Sequence, residues 1–234
     1  CSIRLGVSIL PSCIRRGLLT AILQNEKGDK VMSKRVYISA DYAEDSGDRD
    51  VVDILNQWGS DNRHKVDFID MSKVASGSVS NDPDCRPCDL KREFNQQINA
   101  SSAVIFIVGD KTASRKAGSS CSRASSEQAD CSCTPYKQNS KGSKTCKVIH
   151  TSSAKADSDV GNINAFSYLQ HEFEQAKKRK KPIIIVYNSL RKESNWLPSY
   201  MKGYESDARP FWKRNDYGEK VGDYTYIKQV LGYA

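Results

Sequence analysis

The chain has no long apolar stretch. No apolar run approaches the roughly 18–20 residues that a membrane-spanning helix requires. The sequence also lacks an internal repeat, and no small-residue cleavage signature of an export signal precedes its first patterned segment. We therefore expect a soluble, cytoplasmic protein whose length suits one domain with a sizeable core.

The basic excess is not accompanied by interleaved aromatic residues. Lysine and arginine number 36 against 28 acidic residues, and the resulting net charge of +8 is spread over several segments. Nucleic-acid platforms interleave basic and aromatic side chains, so this pattern favours a solvated basic surface over nucleic-acid binding. An anionic small ligand such as a dinucleotide remains compatible with it.

Alternating apolar segments predict a parallel sheet. The β-branched run at 183–186 is typical of a strand that is buried on both faces. Similar segments and the helices between them predict a doubly wound α/β fold with helices on both faces of the sheet. The predicted strands are 34–40, 65–70, 103–109 and 182–188.

Helical spacing and end signals place the helices. The first, with an apolar face over 51–58, is predicted to end at Gly59, which suits a helix C-terminus. The second is predicted to begin with Asp89 as its N-cap. A last helix is expected at about 225–231, and the aromatic-rich stretch 190–212 is expected to cover a sheet edge.

A further amphipathic helix carries Tyr168 and Glu172 and leads directly into the last buried strand. Its apolar residues recur at helical spacing, which predicts that one face packs on the sheet. Helices of a doubly wound sheet start at its carboxyl edge, where ligands bind, so Glu172 is expected near a ligand crevice. The helix macrodipole also favours an acidic residue early in a helix, so these residues alone leave a catalytic role open.

Two segments depart from the repeating pattern. We predict that translation naturally starts at Met32, because the codons for 27–29 can spell a ribosome-binding sequence, and that residues 1–31 are either upstream sequence or an N-terminal extension. Residues 111–161 are rich in Cys, Ser and Lys and almost lack apolar periodicity. We interpret them as an insertion after the third strand, within a domain spanning 32–234.

Cysteines of the insertion are candidate zinc ligands. Metal binding by thiolates would stabilise the folded state of a segment that has no hydrophobic core of its own. The Cys-x-x-Cys at 85–88, in the predicted loop after strand two, matches half a zinc knuckle. Irregular spacing leaves free thiols as the alternative, and disulfides are disfavoured because no export signal supports an oxidising compartment. The candidate ligands are Cys121, Cys131, Cys133 and Cys146.

The order and spacing of these segments resemble a bacterial TIR-like domain. The resemblance is carried by 34–39 with its acidic loop, by 103–109, and by 168–174 leading into 182–186. The sequence is similar in particular to the TIR-like proteins of the Thoeris anti-phage system. The resemblance covers Met32 to about Asn188. The resemblance implies a flavodoxin-like fold.

The resemblance also implies an NAD+-consuming enzyme. Catalytic members of the family cleave the nicotinamide–ribose bond, often making a modified ADP-ribose as an immune signal, with one glutamate on the helix after the third strand. Glu172 occupies that position, and Tyr168 stands where many members carry Trp. Self-association through TIR-type surfaces is a further expectation that comes from the resemblance.

One carboxylate suffices for this reaction because the leaving group already carries a positive charge and departs neutral. We predict that Ser39, Asp41 and Tyr42, after the first strand, contact ribose or phosphate, and that Tyr168 shapes the pocket or stacks on a ring. Two other functions remain open. One is a non-catalytic interaction or nucleotide-sensing module, and the other is an enzyme that cleaves glycosyl bonds of nucleosides or nucleotides.

Overall fold

The computed structural model describes residues 34–60, 66–74, 86–116, 137–138, 144–145 and 167–233. Their centre is a five-stranded parallel sheet, in the order β2-β1-β3-β6-β7. This order is that of a flavodoxin-like fold, so the predicted fold class is confirmed. The strands are β1 (Lys34–Ser39), β2 (Val66–Asp70), β3 (Ala103–Val108), β6 (Ile183–Tyr187) and β7 (Arg209–Pro210), and β4 (Lys137–Gln138) with β5 (Lys144–Thr145) forms a separate ribbon.

Helices cover both faces of the sheet. One face carries α1 (Asp48–Ser60) and α5 (Tyr224–Leu231), and the other carries α3 (Arg86–Ala100) and α4 (Tyr168–Lys178), while α2 (Met71–Val74) is a single turn after β2. All six residues of β3 are buried, because alternate side chains enter the two helical layers. This burial on both faces explains why the strand sequence is continuously apolar.

The start of α3 corrects the sequence prediction. The helix begins at Arg86, so Asp89 lies in its first turn and is not the N-cap, and residues 86–88 are helical rather than loop. Pro87 is tolerated there because first-turn N–H groups have no partner within the helix. Asp89 still fits this position, since the macrodipole favours a carboxylate in the first turn.

Gly59 is required for a different reason from the one its sequence position suggests. The helix α1 continues to Ser60, one residue beyond it. A Cβ at Gly59 would lie 3.0 Å from Cδ2 of Phe68 and 3.3 Å from the carbonyl oxygen of Val66. The glycine therefore lets the helix approach β2 closely, and it has no role as a left-handed cap.

The segment after β6 completes the domain. It adds the edge strand β7, which the sequence did not predict, and an antiparallel hairpin of β8 (Trp212–Arg214) and β9 (Lys220–Gly222). Aromatic residues of this segment pack in both layers, with Phe211 on the α1 face and Tyr200 on the α4 face. Asp223 caps the start of α5, and Gly232 ends it with φ 71°.

Some predictions fall outside the described residues. These are the N-terminal extension 1–31 with the start at Met32, and the candidate zinc ligands Cys121, Cys131, Cys133 and Cys146. Of the predicted insertion, the structure describes 111–116 and the two short strands of the ribbon. Within the described ranges, no helix has both the length and the apolar character needed to cross a bilayer.

Candidate functional site

A cavity of about 590 Å³ lies at the carboxyl end of β1, a volume typical of small-molecule sites. The connection from β1 leads to β2 on one side, whereas β3 leads to β6 on the other, and such a reversal of strand order leaves a crevice at the sheet edge. The lining residues are Ala40, Asp41, Tyr42, Ala43, Met71, Ser72, Leu90, Phe94, Arg115, Lys116, Ser167, Tyr168, Leu169 and Glu172.

Glu172 is fixed by two hydroxyl groups of β1. Tyr37 donates to Oε1 across 2.6 Å, and Ser39 donates to Oε2. All three residues are buried, with Glu172 only 3% exposed. Both carboxyl oxygens are therefore held in place where the residue lines the cavity.

The local sequence accounts for this arrangement. Tyr37 and Ser39 are two residues apart on a strand, so both side chains project from the same face toward α4. Ser167 caps α4 by accepting from the backbone N–H of Gln170 at 3.0 Å, and this sets where the helix begins. Glu172 then falls on the buried side of the helix, beside Phe173.

Burial dominates the electrostatics of Glu172. Desolvation raises the pKa of its carboxyl to about 8, against the opposing effect of the hydrogen bonds from Ser39 and Tyr37. Among the described residues, Glu172 has no ion-pair partner. The Glu172 carboxyl is thus a buried group that becomes an anion when it ionises. The described part of the chain provides hydroxyl donors for it and no cation.

Aromatic side chains form an apolar part of the cavity wall. The rings of Phe94 and Tyr168 meet edge to face with centroids 5.6 Å apart, and Tyr42 also lines the cavity. Burial, followed by the nearby carboxylate of Asp70, raises the pKa of the Tyr42 hydroxyl well above its usual value. The three rings offer surfaces on which a planar ligand ring can stack.

The loop 41–47 and the segment after β3 supply the charged part of the wall. Arg115 donates from Nε to Asp41 at 2.5 Å and from a terminal nitrogen to Asp45. Lys111 also pairs with Asp45, at 2.8 Å. These ion pairs connect the loop after β1 to the residues that follow β3.

Asp48 anchors the same loop from inside the protein. Its carboxyl accepts the backbone N–H of Asp41 at 3.2 Å and the side-chain amide of Asn188 at 3.1 Å, so it joins the ends of β1 and β6. Burial raises the pKa of Asp48 to about 7. A Cβ on Gly109 would lie 3.0 Å from Oδ1 of Asp48, so a glycine after β3 makes room for this carboxyl.

Most of the sequence-predicted ligand contacts lie together. Asp41, Tyr42, Tyr168 and Glu172 all line the cavity, whereas the hydroxyl of Ser39 donates to Glu172 and the residue is not part of the lining. Three further residues belong to this arrangement that were not predicted from the sequence, namely Tyr37, Phe94 and Arg115. The i, i+2 spacing of Tyr37 from Ser39 was the available signal for the first of them.

His171, next to Glu172, belongs to the packing between helices. Its Nε2 lies 2.9 Å from Oδ1 of Asn95 and 3.2 Å from the carbonyl oxygen of Lys91, both on α3. It does not line the cavity. The described ranges contain no group of three or more His, Cys, Asp or Glu side chains able to hold a metal ion.

Comparison with known proteins identifies one family. The family model described as "Thoeris protein ThsB, TIR-like domain" matches residues 37–118. The matched segment starts at Tyr37 within β1, includes β2 and β3 and reaches past Arg115, while Glu172 lies beyond it. A search of curated proteins found no match.

Proposed function

The chain contains a TIR-like domain of the defence-related ThsB type, and we propose that this domain is an enzyme that cleaves the nicotinamide–ribose bond of NAD+. In this proposal Glu172 is the essential carboxylate, and the product is ADP-ribose or a signal derived from it in anti-phage defence. Self-association through TIR-type surfaces accompanies activity in the same proposal.

The position and surroundings of Glu172 carry the proposal. Its carboxyl is buried, held by two hydroxyl donors, and part of the wall of a cavity suited to a small molecule. No cation among the described residues pairs with it. A cationic ligand group would complete this site electrostatically, and the nicotinamide ring of NAD+ carries such a charge.

The reaction needs little from the protein beyond this carboxylate. When the bond between ribose C1′ and the ring nitrogen breaks, its electron pair moves to the ring, and nicotinamide leaves neutral. The positive charge passes to the ribose as an oxocarbenium-like centre, which a fixed carboxylate stabilises. Water then adds at C1′ and releases a proton, or a nucleophile within ADP-ribose adds and gives a cyclic product.

Other lining residues bind and orient the substrate. Phe94 and Tyr168 present the edge-to-face pair that can hold an aromatic base, and Tyr42 adds a third ring. Tyr37 and Ser39 position the carboxyl and do not contact the substrate themselves. The apolar wall limits water near the reacting centre, which strengthens the attraction between carboxylate and cation.

Nicotinamide release by the purified chain tests the proposal. We expect Glu172→Gln to abolish release from NAD+ while the fold is retained, because the amide keeps the shape of the side chain and loses its charge. Glu174→Gln is the matched control, since Glu174 lies on the same helix, has a side chain that is 46% exposed and, among the described residues, forms an ion pair only with Lys177. It should retain the wild-type rate.

Assays over a range of protein concentrations test whether activity follows self-association. Equal turnover by wild-type protein and Glu172→Gln would refute the assignment of Glu172. A Glu174→Gln variant as inactive as Glu172→Gln would also refute it, because the loss would then not be specific to the buried carboxyl.

One observation favours a second candidate function, a module that senses a nucleotide without consuming it. A carboxyl with a pKa of about 8 is mostly protonated at neutral pH, and in that form it donates a hydrogen bond rather than stabilising a cation. A neutral Glu172 would recognise a ribose hydroxyl through hydrogen bonds alone. Tight binding of NAD+ without nicotinamide release, at every protein concentration and at pH values above about 8, would favour this second function.

A further inference from the structure

Arg115 and Lys116 bring two cationic side chains to the cavity wall. Both follow β3, whereas Glu172 comes from α4 and Asp41 from the loop after β1. The bond-breaking step proposed above uses neither cation, because a positive charge beside the reacting ribose would oppose it. These two residues are therefore candidates for holding a different, anionic part of the ligand.

Two carboxylates already engage Arg115. Nε donates to Oδ2 of Asp41 at 2.5 Å, and a terminal nitrogen donates to Oδ1 of Asp45. The pKa of Asp45 is held below its usual value by Lys111 and by Arg115. The two aspartates thus occupy donors on Nε and on one terminal nitrogen of the guanidinium, a pair that can also bind a phosphate.

The two aspartates differ in what else they hold. Asp41 is 11% exposed and also accepts the backbone N–H of Ala43 at 3.0 Å, so it is part of the internal structure of the loop. The side chain of Asp45 is 55% exposed and, among the described residues, contacts only Lys111 and Arg115. Removing the charge of Asp45 thus alters Arg115 without removing a hydrogen bond within the loop.

Lys116 supplies a charge that the described residues do not offset. It is exposed, and it forms neither a hydrogen bond nor an ion pair with any residue in the described ranges. Arg115 and Lys116 together match the two negative charges of a pyrophosphate. An uncharged nucleoside would offer neither of them an anionic partner.

We propose that Arg115 and Lys116 form a pyrophosphate subsite, and that Asp45 competes with the pyrophosphate for Arg115. When the dinucleotide binds, its phosphate oxygens replace the Asp45 carboxylate at Arg115. The side chain of Asp45, which belongs to the loop 41–47, is then no longer paired with Arg115. The inference rests on the proposed function, since it assigns the dinucleotide part of NAD+ to a place in the same cavity. Asp45 acts as a built-in competitor that lowers the affinity for the dinucleotide.

Titration calorimetry with ADP-ribose and with adenosine tests the subsite. ADP-ribose keeps the pyrophosphate and lacks the nicotinamide bond, so its binding is measured without turnover, and adenosine lacks the pyrophosphate. Arg115→Gln should weaken ADP-ribose binding about tenfold or more, the usual effect of losing a charge-assisted hydrogen bond. Lys116→Gln should weaken it too, and it removes no contact within the described fold. Adenosine binding should be unchanged in each variant.

Asp45→Asn should tighten ADP-ribose binding by about two- to fivefold, the range expected for releasing a cation from a partly exposed ion pair. The matched controls are Arg191→Gln and Asp53→Asn, which make the same charge changes at exposed positions outside the cavity. They should leave ADP-ribose binding within about twofold of wild type, because neither side chain lines the cavity and exposed charges that make no direct contact are largely screened by water and salt.

Two results would overturn the inference. An Arg115→Gln variant that binds ADP-ribose as Arg191→Gln does would refute the subsite, and an Asp45→Asn variant indistinguishable from Asp53→Asn would refute the competition. Neither result touches the proposed function, which depends on loss of nicotinamide release in Glu172→Gln. Conversely, the expected binding pattern without any release of nicotinamide would support the subsite and reject the enzyme.

Discussion

The hydroxyl of Tyr37 donates to Glu172 across 2.6 Å and so connects strand β1 to the helix α4, which follows β3 in the chain. Both side chains are buried, and the cost of placing a carboxyl there is partly offset by this bond and by the one from Ser39. The contact also fixes the orientation of the carboxyl. In the proposed enzyme, Tyr37 is therefore a positioning residue that acts on the ligand only through Glu172.

Replacing Tyr37 with Phe should expose this role. The variant keeps the ring in the core and loses one hydrogen bond to the carboxylate, so ionisation of Glu172 becomes harder. We expect kcat/KM for nicotinamide release to fall about tenfold, in line with losing a hydrogen bond to a charged group. The apparent pKa in the pH profile of kcat/KM should rise, since the lost bond favours the ionised form.

Tyr226→Phe is the matched control for Tyr37→Phe. The hydroxyl of Tyr226 donates to the carbonyl oxygen of Asp207 at 2.6 Å, away from the cavity, so its loss should leave kcat/KM unchanged. A Tyr37→Phe variant with the wild-type kcat/KM and an unaltered apparent pKa would show that the tyrosine only packs.

The raised pKa of Glu172 predicts a rate that depends on pH. The ionised carboxylate is the form that stabilises a ribosyl cation, and burial holds its pKa at about 8. We expect kcat/KM to increase with pH up to about 8 and then level off, because this parameter reports the free enzyme. The hydroxyls near Glu172, those of Tyr37, Tyr42 and Tyr200, have pKa values raised by burial, so they stay neutral over this range. A flat profile through neutral pH would contradict the assignment.

Local sequence patterns were sufficient to predict the central strands. The β-branched run at 183–186 and the apolar segment of β3 belong to strands that are buried on both faces. Since successive side chains of such a strand all enter the core, the whole segment is apolar and is easily recognised in the sequence. The edge strand β7 has only two residues, one of them proline, and pairs with β6 because the following chain packs on both faces of the sheet. No local pattern in Arg209 and Pro210 indicates that pairing.

The candidate site likewise has some features that the sequence predicts and others that it does not. The place of Glu172 at the carboxyl edge follows from the order of strands and helices, which the sequence shows. The contacts of Tyr37 and Arg115 depend instead on which residues meet across the sheet, 135 and 70 or more positions apart in sequence. The start of α3 was misplaced because a proline usually marks a loop, although it is equally suited to a first helical turn.

The candidate zinc site in the insertion stays a prediction. If Cys121, Cys131, Cys133 and Cys146 bind zinc, protein purified without chelator should contain about one zinc per chain. Chelation should then make the segment 119–147 sensitive to protease while the described core stays protected. Joint substitution of Cys131 and Cys133 should have the same local effect, and a metal content far below one zinc per chain would reject the site.

Close packing at Gly222 predicts a loss of stability. A Cβ at this position would lie 2.9 Å from two ring atoms of Trp58, and that ring is itself packed against Phe211 and Tyr224. Gly222→Ala should lower the free energy of unfolding by about 1–3 kcal/mol, the usual cost of overpacking. Chemical denaturation measures this loss.

A double variant separates the clash from other effects of Gly222→Ala. Trp58→Phe removes the ring atoms that the new methyl group would meet, so the two changes together should cost less than the sum of the single changes. Additive costs would show that the alanine acts through the backbone and not through Trp58.

The buried carboxyls predict a stability that falls as pH rises. The folded protein keeps a proton on Glu172 up to about pH 8, whereas the same carboxyl in an unfolded chain releases it near its usual pKa of 4.5. Between these values the folded state binds more protons than the unfolded state, so the contribution of Glu172 to stability decreases with increasing pH. Asp48 acts in the same direction up to about pH 7, so Glu172 is the main source of the slope between about 7 and 8.

Glu172→Gln should remove that slope, because glutamine does not titrate, and Asp48→Asn should remove only the part below about pH 7. Melting temperatures of wild-type protein and both variants across this range measure the difference, and their comparison cancels the titration of every other group. The gap between Glu172→Gln and wild type should widen with pH in favour of the variant. A gap that stays constant would mean that Glu172 ionises freely in the folded protein, and the carboxyl would then be an ordinary anion without the burial that makes it a partner for a cationic substrate.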